Sequence, residues 1–371
     1  MPRIGITGQA GFIGTHLYNY LGLQKDVDRI NFDNSFFQDE QQLRVFVKQC
    51  DVIIHLAAKN RHPDAKLLYQ INVELVQRLI DAMEIEKVAP HIIFASSTQE
   101  EKQNAYGESK KEARERFDQW ATRHKATFTG LIIPNVFGPF GLPYYNSVVA
   151  TFSHQLTHGE TPAVQADNML KLIYVGELVT EIWKVINEKI AGSIYFLSPT
   201  ASANVSEILA LLENYRAQYF ENNNLPTINN NFQLNLFNTF RSYFDYSNHY
   251  PVLLTKHTDN RGSFIETVKT SMGGQFSFSN THPGITRGNH FHTRKIERFA
   301  VISGKAVIRL RRIGTNEILY FELDGNQPAF VDMPVWYTHN ITNVGSEELL
   351  TLFWINEFFD PKDSDTFFEI V

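Results

Sequence analysis

Three glycines spaced three apart, Gly8, Gly11 and Gly14, separate a short apolar run, Ile4 to Thr7, from a helical pattern that begins with Phe12 and Ile13. A buried strand that turns through glycine directly into a helix narrows the choice of fold sharply. Glycine permits the tight turn and lets main-chain N–H groups approach a pyrophosphate. The helix amino end adds partial positive charge. Gly8, Gly11, Phe12, Ile13 and Gly14 are therefore the expected cradle of a dinucleotide. The runs Val52 to Ala57 (VIIHLA) and Ile92 to Ser96 (IIFAS) are apolar almost throughout, as in strands buried on both faces. Longer helical patterns, Leu67 to Met83 and Glu108 to Arg123, lie beside them. Strand and helix alternating in this way predict an α/β doubly wound parallel sheet. Asp33, 19 residues beyond Gly14, stands near the expected end of the second strand. An acid there holds a ribose 2′-hydroxyl and favours NAD over NADP; a surface-loop aspartate is the equal alternative.

After about residue 200 the pattern changes. Residues 204–220 read as helix, and 221–231 as an Asn-rich loop containing Pro226. From about residue 250, short alternating runs are cut by Asp259-Asn260-Arg261-Gly262, Gly273-Gly274, His282-Pro283-Gly284, Ser303-Gly304, Asp324-Gly325-Asn326 and Gly345-Ser346. Turns at this density predict an all-β sandwich or barrel. The expected division is residues 1–247 and 248–371, in keeping with a 371-residue chain and about 150 residues per domain. The net charge of −6, from 34 Lys+Arg against 40 Asp+Glu, argues against a nucleic-acid partner. A single cysteine, Cys50, excludes an intrachain disulfide and a Cys-only metal site. The chain opens without a signal-peptide pattern, and no apolar run reaches the roughly 18 residues of a membrane helix. The expectation is a soluble, cytoplasmic protein with no membrane partner.

Tyr106-Gly107-Glu108-Ser109-Lys110 sets a tyrosine and a lysine four apart, on one helix face. A phenol with an ordinary pKa near 10 is a poor acid–base group at neutral pH. A cation one turn away lowers it, and the phenol can then protonate the oxygen of a carbonyl that receives hydride. Ser97 closes a buried strand, where its hydroxyl can orient that carbonyl; Thr98 is the adjacent alternative. A second constellation lies in GITRGNHFHTRKIERFAVISG, residues 284–304. His290 and His292, two apart on a strand, face one side. Glu297 can join them from the return strand, and His339 from a later one. Three imidazoles and a carboxylate suit a divalent transition metal, with zinc, iron, manganese and nickel all admitted.

GQAGFIG (8–14), HLAA (His55–Ala58), Ser97, YGESK (106–110), Pro134-Asn135-Val136-Phe137-Gly138 and Ile173-Tyr174-Val175 resemble the extended short-chain dehydrogenase/reductases that act on nucleotide sugars. The resemblance covers about residues 1–245 and implies a Rossmann-like fold. It implies catalytic roles for Ser97, Tyr106 and Lys110, with Lys110 also touching the nicotinamide ribose and Ala57 and Asn135 beside the cofactor. The stretch between Ser97 and Tyr106 is short for that family. Residues 284–304 resemble the first cupin motif, G(x)5HxH(x)4E(x)6G, at every spacing. The second motif is matched by Pro334, His339 and Asn343, while Trp336 stands where glycine is usual. A jelly-roll barrel is implied, with His290, His292, Glu297 and His339 as its metal ligands. Asp259 to Phe264 and Arg287-Gly288 are similar to the nucleotide-sugar 3,5-epimerases, which implies contacts from Arg261 and Arg287 to a substrate diphosphate.

Taken together, the two halves resemble the bifunctional enzymes of capsular-polysaccharide biosynthesis. That resemblance implies a UDP-2-acetamido-4-keto-6-deoxy hexose as substrate. The cupin inverts the carbon beside the ketone, and the reductase then reduces the ketone, giving UDP-2-acetamido-2,6-dideoxy-L-talose. NADP(H) is the implied cofactor, with NAD(H) open, together with one divalent metal, zinc, and a homodimer. A reductase with a purely structural, dimerising β domain is the main alternative. A non-catalytic sugar-nucleotide sensor and a cupin oxygenase fused to a dehydrogenase are the others.

Overall fold

The computed structural model describes residues 1–260, 262–270 and 273–371, with residues 262–264 described in their main chain. Arg261, one of the expected diphosphate contacts, lies outside the described residues. Two compact units are present. The first comprises Met1–Phe137, Tyr145–Ser147 and Asn168–Asn204, and the second Gly138–Tyr144, Val148–Asp167 and Val205–Val371.

The first unit carries strands β1 (Arg3–Thr7), β2 (Asp28–Ile30), β3 (Val52–His55), β4 (His91–Ser97), β5 (Phe128–Ile133), β6 (Asn135–Phe137), β7 (Met169–Tyr174), β8 (Gly192–Phe196) and β9 (Ala201–Asn204). Its helices are α1 (Phe12–Gly22), α2 (Glu40–Gln49), α3 (Ala65–Glu86), α4 (Ala105–His124) and, after the α5 (Val148–Thr157) of the second unit, α6 (Val175–Asn187). Six strands form a parallel sheet in the order β2-β1-β3-β4-β5-β8. Residue alternation explains the two helical layers. Ile92 and Phe94 of β4 point to one core with Phe46 of α2, Leu79 of α3 and Phe117 of α4. Ile93 and Ala95 point to the other, with Leu17 of α1 and Ile182 of α6. The order reverses at β1, so the crevice beyond the carboxyl ends of β1 and β3 is the switch point where such sheets take ligands.

The second unit holds α5, α7 (Val205–Tyr215), α8 (Asn231–Arg241), α9 (Tyr246–His249) and strands β10 (Val252–Leu253), β11 (Lys256–Asp259), β12 (Gly262–Ile265), β13 (Gln275–Thr281), β14 (Thr286–Phe291), β15 (Glu297–Ser303), β16 (Lys305–Arg312), β17 (Ile318–Asp324), β18 (Ala329–Met333), β19 (Tyr337–Asn343), β20 (Leu349–Ile355) and β21 (Phe367–Phe368). Two five-stranded antiparallel sheets, β10-β18-β15-β20-β13 and β17-β16-β19-β14-β21, form the β domain. Residues 205–247, which the sequence reading places with the first half, pack within this unit. A buried polar cluster ties them in. Arg298 of β15 donates to both oxygens of Asp332 of β18 at 2.7 and 2.9 Å, and the Tyr219 hydroxyl donates to the same carboxylate at 2.5 Å. Among the described residues no helix is long and apolar enough to cross a membrane.

Candidate active site and metal centre

The glycine loop follows β1 as expected. Gly8 has φ 74°, and a Cβ there would press on the Ala57 main-chain nitrogen at 2.9 Å. A Cβ on Gly14 would collide with the Gly8 carbonyl. Close backbone approach, rather than flexibility, therefore explains these glycines. Gly11 caps α1 without a side chain, so the first N–H groups of the helix stay available, with Phe12 and Ile13 half-buried beside them. Ala57 lies just past β3, its N–H 3.5 Å from the Thr7 hydroxyl oxygen. Asn135 is exposed and donates to the Lys171 carbonyl at 3.2 Å. Asp33 is exposed and accepts from the Ser35 N–H at 2.8 Å and the Ser35 hydroxyl at 2.6 Å. Those bonds hold its carboxyl below the usual carboxylate range.

Asn104 caps α4, accepting from the Gly107 N–H at 2.8 Å, and this puts Tyr106 in the first turn of the helix. One turn on, Lys110 is buried against β4 with its Nζ 4.3 Å over the Phe94 ring. Burial lowers the lysine to about 7, opposed by the nearby Glu100. Burial, then Tyr145, pushes the Tyr106 phenol up to about 12. The expected lowering of the phenol by Lys110 is thus not what this structure shows. Burial acts against the charged form of both groups. The phenol stays protonated at neutral pH, as a proton donor must. Ser97 ends β4, and its hydroxyl oxygen accepts from the Gln99 N–H at 3.2 Å; Thr98 next to it is exposed.

Sequence reasoning missed the supports around this pair. Asn72 of α3 is buried and donates from Nδ2 to Ser109 Oγ and to the Lys59 carbonyl, both at 3.0 Å. Ser109 in turn donates to the Tyr106 carbonyl at 2.7 Å. Glu100, in the short stretch before Tyr106, pairs with buried Arg114 at 2.8 Å and accepts from Ser96 Oγ. An Asn 14 residues beyond the HLAA run carries no signal by itself. The Glu100–Arg114 pair, 14 residues apart, is visible only once the strand–helix turn is folded.

In the β domain, His290, His292, Glu297 and His339 converge, each with one ligand atom within 4.8 Å of the others. Their origin is local. His290 and His292 flank the end of β14, where a bulge between Gly288 and His290 places Asn289 at φ 60°. Glu297 opens β15, and His339 lies opposite His290 on β19. Glu297 Oε2 is 3.2 Å from His292 Nε2, 3.1 Å from His339 Nε2 and 3.9 Å from His290 Nε2. Nδ1 of His292 and of His339 face main-chain oxygens of Asp365 and Tyr337, at 2.6 and 3.3 Å. A carbonyl only accepts, so Nδ1 of each ring is the nitrogen held by the main chain, and Nε2 is the one turned to Glu297. Burial holds His339 below the usual imidazole range, against the pull of Glu297. Burial works against the charge on Glu297, but the three imidazoles hold its carboxyl well below the usual range. His339 Nε2 is buried without a hydrogen-bond partner in acceptable geometry. Two ligands about 2.1 Å from one ion lie at most about 4.2 Å apart, so these donors fit a divalent metal after a small contraction.

Trp336, which replaces the usual motif glycine, adopts φ 62°. The turn keeps its left-handed backbone, held by the Trp336 N–H donating to the His292 carbonyl at 2.8 Å and by stacking of the indole on Phe291 at 5.6 Å. Arg287 is exposed on β14 and its guanidinium donates to Thr281 Oγ1 at 3.0 Å and the Asn280 carbonyl at 3.2 Å.

Comparison with known proteins agrees with both halves. The sequence pattern described as NAD dependent epimerase/dehydratase family matches residues 4–197, and that of the polysaccharide biosynthesis C-terminal domain matches 257–367. The chain is 32% identical to a UDP-2-acetamido-2,6-beta-L-arabino-hexul-4-ose reductase of Pseudomonas aeruginosa, over 98% of both chains. Among solved structures it is similar to the capsular polysaccharide assembling protein CapF from Staphylococcus aureus, with 33% identity, complete coverage of both chains and a TM-score of 0.62. RMD from Pseudomonas aeruginosa, complexed with NADPH, shares the fold alone, at 19% identity over 58% of this chain and 83% of its own, with a TM-score of 0.53.

Proposed function

The chain belongs to the NAD-dependent epimerase/dehydratase family, and on that footing we propose that it converts a UDP-2-acetamido-4-keto-6-deoxy hexose in two steps. The β domain epimerises the carbon beside the ketone, and the first unit reduces the ketone to give UDP-2-acetamido-2,6-dideoxy-L-talose for a surface polysaccharide. The observation that carries this reading is the end-to-end match to a hexul-4-ose reductase in a chain that keeps Ser97, Tyr106 and Lys110 around the end of β4.

The nicotinamide cofactor, NADPH in this reading, supplies the hydride when bound. Gly8, Gly11, Phe12, Ile13 and Gly14 bind its pyrophosphate, Ala57 and Asn135 flank it, and Asp33 lies toward the ribose. Tyr106 gives its proton to the ketone oxygen, Ser97 orients that oxygen, and Lys110 meets the nicotinamide ribose. In the β domain a hydrogen beside a ketone is acidic because the enolate spreads charge onto oxygen, so removal and return on opposite faces invert the centre. His290, His292, Glu297 and His339 would hold one divalent ion, zinc in this reading, which would supply Lewis-acid stabilisation or a structural clamp. Arg287, together with Arg261, is assigned to the substrate diphosphate.

A homodimer fits the same reading. Strand β13 is the outer strand of its sheet and exposes Phe276 and Phe278 at 54% and 72%, an apolar edge that a second copy would cover. A cytoplasmic setting accords with the single, buried Cys50.

Proton NMR in deuterium oxide tests the two-step reading, with protein and freshly made keto sugar but no nicotinamide. Loss of the signal beside the ketone faster than in a protein-free control is expected. No exchange above control overturns the epimerase assignment and leaves a reductase with a structural β domain.

A further inference from the structure

Segment 363–371 runs along the outside of the metal-ligand strand and engages it at three successive points. Asp365 is buried, and its carboxylate accepts from three consecutive main-chain N–H groups, those of Thr293, Arg294 and Lys295, at 3.1, 3.0 and 3.0 Å. It also accepts from the Thr293 hydroxyl at 2.6 Å. These residues directly follow the ligand His292, and the Asp365 carbonyl is the acceptor for His292 Nδ1 at 2.6 Å. One residue therefore holds the turn after the ligand with its side chain and the imidazole with its main chain. Its φ of 41° is a conformation that a non-glycine adopts at a cost, and the convergence of these bonds keeps it there.

Next along the chain, β21 pairs with β14, setting Phe368 opposite His290 and Phe367 opposite Phe291, whose rings lie 5.3 Å apart. Glu369 then donates its N–H to the carbonyl of Asn289, the bulge residue before His290, at 3.0 Å. Its own carbonyl accepts from the Thr338 hydroxyl at 2.5 Å, one residue before His339. On the near side, Lys295 Nζ donates to the Ser364 carbonyl at 2.6 Å and Arg294 pairs with Asp363 at 2.9 Å.

We propose that residues 363–371 are a latch that positions the metal ligands His290 and His292, with Asp365 as its pin. Asp365 is a positioning residue: it orients one ligand and shapes the turn behind it without itself reaching the ion. Groups that orient metal-bound histidines commonly govern affinity by 10- to 100-fold. The proposal rests on the metal reading above.

The test is cobalt(II) affinity, measured by competition with a chelator on the full chain, together with the visible absorption of the bound cobalt. The unaltered protein should bind one Co²⁺. Asp365→Ala should bind it about 10- to 100-fold more weakly and with an altered absorption band. Asp365→Asn, which keeps one acceptor oxygen, should fall between them and carries the test if Asp365→Ala fails to fold. Tyr219→Phe, which loses a bond to Asp332 in the same unit, should lower thermal stability and leave cobalt affinity unchanged. Parent-like affinity in Asp365→Ala or Asp365→Asn, or an equal loss in Tyr219→Phe, overturns the latch. Failure of the unaltered protein to bind cobalt overturns the metal reading and the latch with it.

Discussion

The ammonium nitrogen of Lys110 stands 4.3 Å above the ring centre of Phe94. A cation over an aromatic face gains some attraction, but burial dominates and lowers the lysine to about 7. An unfolded chain holds this proton up to about 10.4. Between those values the unfolded state binds more protons, so this residue makes stability rise with pH, and its full cost is present below pH 7. Lys110→Met should therefore stabilise the cofactor-free protein at pH 6, by up to about 5 kcal/mol, and progressively less toward pH 10. Urea unfolding of both proteins across that range measures the difference. A difference constant with pH would contradict the assignment.

Tyr106→Phe keeps the ring and removes only the hydroxyl to which the proposed reduction assigns proton donation. Ketone-dependent NADPH oxidation should fall by about 10²- to 10⁴-fold. Proton exchange beside the ketone, which the proposal assigns to the β domain, should continue at the parent rate. Absorbance at the reduced-nicotinamide band and the deuterium-oxide time course report the two steps separately. Reduction at the parent rate would remove Tyr106 from its role.

Asp332 is fully buried and serves Arg298 through two bonds and Tyr219 through one. Asp332→Ala leaves a buried guanidinium without its counter-charge and should cost about 3–5 kcal/mol. Removing both charges, in Asp332→Ala with Arg298→Met, should cost less than the single change. Chemical unfolding of Asp332→Ala, Arg298→Met and the double variant completes the cycle, and a strictly additive result would show that the pair is not coupled.

Trp336→Gly sets two effects against each other. Relief of the left-handed backbone is worth about 1–2 kcal/mol. Loss of a buried indole stacked on Phe291 costs about 3–5 kcal/mol. The variant should be destabilised by about 2 kcal/mol, measured by thermal or urea unfolding. Equal or greater stability would mean that backbone strain outweighs the packing.

What sequence makes legible is what neighbours in the chain bring about. The Gly8–Gly14 turn, the Tyr106–Lys110 helix face and the His290/His292 strand pair all depend on residues within one turn of helix or strand. Their placement follows from helix and strand periodicity. Asn72 against Ser109, Glu100 against Arg114 and Asp365 against Thr293 depend on segments far apart in sequence meeting in space. No local pattern marks such pairs. Asp33 shows the opposite limit. Its position suits a ribose contact, yet its carboxylate also forms a local turn with Ser35, which was equally readable from an Asp followed two residues on by Ser. The phenol of Tyr106 could not be judged from the lysine's spacing alone, because burial sets the charge of both groups.

At position 336 the barrel asks for an angle and not for an amino acid. Glycine usually meets that demand because it adopts the angle with no steric cost, but Trp336 meets it at φ 62° with a stacked ring and a main-chain bond to the His292 carbonyl. A search that insists on the letter G would therefore discard chains of this kind, while a search for one left-handed residue three positions before the histidine of His339 would keep them. Such barrels are better catalogued by their torsions than by their spelling.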